Sequence, residues 1–202
     1  MKKGALTLGT LLLATSASAH HAIGGATPSN GLEGFLSGLA HPVLGLDHLA
    51  FVVAAGLLAA LNRRGFVIPI AFAAASLAGT VVRLLAPDLP AAEIMIAFSV
   101  VLMGVLLVEK RRSLASVVLL TSAAGIFHGY AYGQSIVGAE MTPLYSYLLG
   151  LALVQIAIGL SVQRIFLLAA GPTRDRGSVA LRWAGLAICC VGLAYVSILW
   201  VG

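Results

Sequence analysis

The sequence predicts an all-α fold: a polytopic membrane bundle of six transmembrane helices after a cleaved signal peptide, the first helix broken near Pro42–Gly45. Three observations carry this. Hydrophobic residues make up 60% of the chain and charged ones 9%, where a soluble domain carries about a quarter charged, and the mean hydropathy is +1.03. Six apolar runs cover 36–61, 66–85, 92–108, 114–132, 144–167 and 179–201, and most reach the roughly 20 residues that cross a hydrocarbon core. In lipid the backbone must satisfy its own hydrogen bonds, so each run is expected to be a helix. Third, Lys and Arg fall in alternate gaps between the runs.

The N-terminus reads as a targeting segment. Lys2 and Lys3 precede an apolar core over 4–14, and Ser16-Ala17-Ser18-Ala19 ends in a small-x-small pattern. That is a secretory signal peptide over 1–19, leaving 20–202 as a six-helix transmembrane transporter domain. His20 would then begin the mature chain. Residues 20–33 are rich in Gly, Ala and Ser/Asn and read as an external loop. His20 and His21 are subsidiary metal-ligand candidates there, imidazole being a common ligand.

The gaps predict the orientation. Asn62-Arg63-Arg64-Gly65, Glu109-Lys110-Arg111-Arg112 and the stretch 164–182, with four arginines against Asp175, are basic; 86–91 and 133–143 contain no Lys or Arg and hold Asp88 and Glu140. The positive-inside rule places the basic gaps in the cytoplasm. The protein is thus expected in the inner (plasma) membrane, multi-pass, with both mature termini on the periplasmic side. The net charge of +5 is an orientation signal, and no nucleic-acid partner is implied. Arg83, near the outer end of its run, is expected to snorkel or to pair with Asp88 or Glu93. Adjacent Cys189 and Cys190 cannot bridge without strain and read as packing residues. Small-xxx-small pairs at Gly34/Gly38, Ala55/Ala59, Ala74/Ala78, Gly125/Gly129 and Gly185/Cys189 permit close helix contacts.

The chemistry concentrates in HPVLGLDHLAFVVAAG, residues 41–56. Ionisable groups at membrane depth are costly, and three together point to an ion site at His41, Asp47 and His48. In a straight helix the two rings would stand about 10 Å apart along the axis, too far for two metal bonds of about 2 Å. Pro42 and Gly45 supply a break that folds His41 back toward Asp47 and His48. His128, in GIFHGYAYGQS, is the fourth metal-ligand candidate, with Tyr132, Gln134 and Ser135 shaping the mouth and Glu140 in the outer loop as a subsidiary ligand. Other roles stay open at this point: a hydrogen-bonded, tautomer-locked His48, an Asp47 that holds a ring in place, and a His128 bonded to Tyr130 or Tyr132. Nitrogen and oxygen donors suit Ni(II), Co(II), Zn(II) or Cu(II); Ni(II) or Co(II), with Zn(II) also compatible, is read as transported substrate, with no permanent cofactor.

The same residues resemble the HupE/UreJ family of nickel and cobalt permeases. That family's pattern, approximately H-P-x-x-G-x-D-H, falls on His41, Pro42, Gly45, Asp47 and His48, with Gly56 beyond. The block from His128 to Gly133 with Gly138-Ala139-Glu140 is also similar. Some members carry a second histidine where this chain has Tyr132. The resemblance implies a secondary carrier of nickel or cobalt. No GxxxxGK[ST] motif is present, so no ATPase of its own is expected, and the chain is read as a non-enzyme. Two other readings stand beside uptake. One is an intramembrane zinc hydrolase using His41, His48 and His128 with Asp47 as proton handler; the other is a subunit that binds metal without moving it.

Overall fold

The computed structural model describes residues 27–85, 89, 91–109, 113–170 and 174–201, with side chains on the last helix from residue 179. The segment expected to be a signal peptide, with His20, His21 and Asp88, lies outside the described residues. The helices are α1 (Gly31–Leu44), α2 (Leu46–Ala60), α3 (Val67–Leu85), α4 (Ala92–Val108), α5 (Leu114–Gly133), α6 (Met141–Ala170) and α7 (Arg174–Val201), with a 3-10 turn at Gln134–Ile136. No strand occurs among the described residues. Each apolar run has become a helix, as a lipid environment demands.

The first run is broken where the sequence places the break. Gly45 adopts extended φ −80°, ψ 111° between α1 and α2, and the two axes differ in direction by 81°. Pro42 remains helical in the last turn of α1, so Gly45 alone makes the corner. The start of α1 is fixed by Asn30, whose side chain accepts from Glu33 N at 3.0 Å. Glu33 in return accepts from Ser29 N and Oγ at 2.8 and 2.9 Å, so orphan amides are satisfied from both directions.

Among the described residues four helices are long and apolar enough to cross a membrane, α3, α5 with its 3-10 extension, α6 and α7; α1 and α2 taken as one bent span make five. The 17-residue α4 is apolar but shorter, about 26 Å at 1.5 Å per residue.

Helix α2 is the axis of the bundle, packing against each of the other six helices. Phe51, Val52, Ala54, Ala55, Leu58 and Ala59 are all fully buried. Around it the remaining helices form three close pairs, α1 with α6, α3 with α5, and α4 with α7. Small residues set each pair's separation. A side chain on Gly34 or Gly38 would run into the Pro143 or Tyr147 carbonyl, and one on Gly129 into that of Ser76. Thr80 Oγ1 stitches α3 to α5 by donating to Gly129 O at 2.9 Å. Gly104 faces Gly185, and Gly192 faces Ala97. The order of these contacts makes α1 parallel to α6, α3 parallel to α5, and α4 antiparallel to α7. Three of the five small-xxx-small pairs read from the sequence lie at these contacts. Cys189 packs partly buried beside Gly104, and Cys190 is exposed.

Gly129→Val would force α3 and α5 apart. We expect a loss of about 1–3 kcal/mol, typical of overpacking, in reversible unfolding in detergent, while Leu119→Ala on the exposed face of α5 leaves the midpoint unchanged.

Candidate metal centre

Backbone geometry gathers three of the four principal candidates. Because Gly45 turns the chain, His41 at the end of α1 and His48 in the first turn of α2 lie with ring centres 6.1 Å apart. From α5, His128 brings its ring centre to 4.9 Å from that of His48. All three rings are buried, at 2%, 1% and 0% exposure. A side chain at residue 45 would stand 2.7 Å from His48 Cδ2, so the corner glycine is required by the ring next to it. Asp47, also buried, accepts from His48 N at 2.8 Å, using its carboxylate where α2 has exposed amides.

The protons in this cluster can be assigned from the network, since each hydroxyl has one to give. Ser99 Oγ on α4 donates to Ile96 O at 2.7 Å and therefore accepts from His128 Nε2, 3.0 Å away. A neutral His128 then has an unprotonated Nδ1. That nitrogen, 2.7 Å from His48 Nδ1, accepts the His48 proton. On the other side, Tyr147 Oη on α6 donates to Tyr132 O at 2.7 Å. It therefore accepts from His41 Nδ1 at 3.1 Å, a proton shared with Ser135 Oγ at 3.0 Å. Both His41 and His48 thus carry hydrogen on Nδ1 and an unprotonated lone pair on Nε2. This is the tautomer a metal needs, and a hydrogen bond from the opposite ring nitrogen is how metal-binding histidines are normally oriented.

The arrangement provides two such imidazoles. Metal–nitrogen bonds of about 2 Å put two ring centres roughly 5–6 Å apart around one ion, close to the separation observed. Among the described residues no group of three or more His, Cys, Asp or Glu is placed to hold an ion. His128 has both nitrogens engaged, by His48 and Ser99. Tyr132 lies against both rings of the pair, with centre distances of 5.1 Å to His41 and 4.5 Å to His48, and is fully buried. Glu140 is exposed before α6.

Arg83, whose expected partner Asp88 lies outside the described residues, also reaches α5. Its guanidinium donates to Tyr130 Oη at 3.0 Å and to Gln134 Oε1, and stacks over the Tyr130 ring. Tyr130 also accepts from Leu89 N at 2.7 Å. This ties α3 to α5 and occupies the aromatic residue that the sequence offered to His128. Ser99, Tyr147 and Gln155 were not singled out from the sequence. Their one signal is a polar side chain inside an apolar run, as in LALVQIAIGL.

Residues 8–195 match the family model described as HupE / UreJ protein. Protein HupE of Rhizobium leguminosarum bv. viciae is 26% identical over 188 residues, covering 87% of this chain and 95% of the relative. No solved structure matches.

With ¹⁵N-labelled histidine in the full chain, solid-state NMR at neutral pH should show Nδ1–H with bare Nε2 for His41 and His48, and Nε2–H for His128. An Nε2–H signal from His48 would contradict the assignment. Ser99→Ala should perturb His128 and His48 and leave His41 unmoved.

Proposed function

Since the chain belongs to the HupE / UreJ family, which is associated with nickel and cobalt uptake, we propose that it is a secondary carrier bringing a divalent transition metal, nickel or cobalt, inward across the inner membrane. The observation that supports this reading is the pair of buried imidazoles, His41 and His48, each with a hydrogen-bond partner at Nδ1; Nε2 is the atom we assign to the ion. Neutral nitrogen donors suit Ni(II) and Co(II) better than Mg(II) or Ca(II). Asp47 supplies negative charge beside the site, and His128 fixes the proton of His48. Asp88 and Glu140 raise the local cation concentration at the mouth. A proton arriving at either Nε2 competes with the ion, so acidification favours release.

We take the topology as six spans, with α1 and α2 forming one broken span and α4 a short one, after removal of a signal peptide over 1–19. The helix directions support this. Spans one and five run parallel, two and four run parallel, and three and six run antiparallel, as strict alternation requires. The basic gaps then share the cytoplasmic face and the mature termini lie outside. The hydrolytic reading finds no support in the comparisons.

The test is uptake of Ni(II) or Co(II) into sealed vesicles containing only this protein, with a metal-sensitive dye inside. The wild type should load the vesicles. His41→Ala and His48→Ala should each lower the initial rate at least tenfold while still inserting, and Glu140→Gln should raise the half-saturating concentration only a few-fold. Normal uptake by His48→Ala would refute the proposal.

A further inference from the structure

Along α6 polar side chains recur at intervals of eight residues, Tyr147, Gln155 and Gln163, on a ridge that winds about 80° around the helix at each step. Tyr147 holds His41, as described. Gln163 Nε2, at the far end, donates to Ala59 O at 3.3 Å. Gln155, between them, is fully buried, and its Oε1 lies 2.8 Å from Ser76 Oγ. Gln155 Nε2 and Tyr132 Oη are both buried, and the two side chains are within hydrogen-bonding reach of each other. Ser76 Oγ also lies 2.9 Å from Ala73 O, a pure acceptor that claims the hydroxyl's one proton. Turning the amide over resolves every conflict: Gln155 N–H donates to Ser76 Oγ, and Tyr132 Oη–H donates to the Gln155 carbonyl oxygen. That oxygen then faces Tyr132, the ring that both His41 and His48 touch.

The straight way inward from the imidazoles is closed. Phe51 and Phe72 lie with ring centres 4.8 Å apart, and Phe51 sits 4.5 Å from His128. The polar groups beside this plug are Gln155 and Ser76. One turn further along α6, Gly159 is wedged against Gly56 and Pro69, and a side chain on Gly56 would stand 2.5 Å from Gly159 O. Beyond that contact lies an open cleft of about 590 Å³ lined by apolar side chains, Phe66 and Leu167 among them, and by Asn62, Arg63, Gln163 and Arg164.

We infer that the ion's inward path follows this winding ridge of α6, with the Gln155 carbonyl oxygen as a second station and the Gly56–Gly159 contact as the barrier before the cleft. The inference rests on the carrier reading above. An amide oxygen is a weaker, neutral ligand for a transition metal than imidazole, which suits a station an ion must leave. Arg63 and Arg164 repel a cation, so the cleft offers it no third binding site.

The test pairs two readouts on the full chain: equilibrium Ni(II) binding in detergent and Ni(II) uptake into vesicles. Gln155→Leu should bind Ni(II) within threefold of wild type and lose at least tenfold in uptake, while Gln155→Glu, which keeps an oxygen there, should retain uptake. Gln155→Met, of similar length and flexible, should behave like Gln155→Leu and stands in if leucine prevents insertion. Wild-type uptake by either apolar variant, or equal losses of binding and uptake, would overturn the route. A wild type that neither binds nor carries Ni(II) would sink the carrier reading itself, and the route with it.

Discussion

A hydroxyl group has one proton, and in the centre of this bundle backbone carbonyls claim it. Ser99 gives its proton to Ile96 and Tyr147 gives its own to Tyr132. What each hydroxyl has left is an accepting lone pair, which a histidine must fill from Nδ1 or, through His128, at one remove. Within this network a neutral His41 and a neutral His48 each place their hydrogen on Nδ1. Everything chemical about the site follows from that constraint.

The fold makes the constraint rigid. The groups involved come from α1, α2, α4, α5 and α6, and they meet because α2 runs through the middle of the bundle with the remaining helices paired around it. Glycine contacts bring the paired backbones to distances that admit no side chain, so α6 can carry Tyr147 to His41 and α5 can carry His128 to His48. In lipid an unsatisfied buried polar group costs several kcal/mol, so a network completed by backbone carbonyls has few alternatives of comparable energy. The bend at Gly45 brings the two rings together, and the His48 ring packs where a side chain at Gly45 would have been.

Much of this was legible in the sequence. Apolar runs of bilayer length matched α3, α4 and α5 to within a residue, while α1, α6 and α7 extend three to five residues beyond their runs; one straight helix cannot bring His41 and His48 together, which located the corner. That corner lies at Gly45 alone, because a proline in the last turn of a helix breaks little. Less visible were the partners. A serine, tyrosine or glutamine within an apolar run has no periodic signature, and which helix it faces depends on packing between distant segments. For that reason Ser99, Tyr147 and Gln155 emerged only from the structure. Arg83 was read by charge, toward carboxylates; the structure adds a phenol and an amide, because α3 and α5 lie close enough to offer both. His128 was read as a ligand equal to the others; in the structure its two nitrogens are bonded to neighbours, which distance along the chain could not reveal.

The central claim is that His41 and His48 hold the ion through Nε2. X-ray absorption on Ni(II) or Co(II) bound to the purified, full chain reads this directly. The account predicts the multiple-scattering signature of two imidazoles, completed by oxygen donors with no sulphur, and its disappearance in the His41→Ala/His48→Ala double variant. A spectrum lacking imidazole, or one unchanged in that double variant, would contradict it.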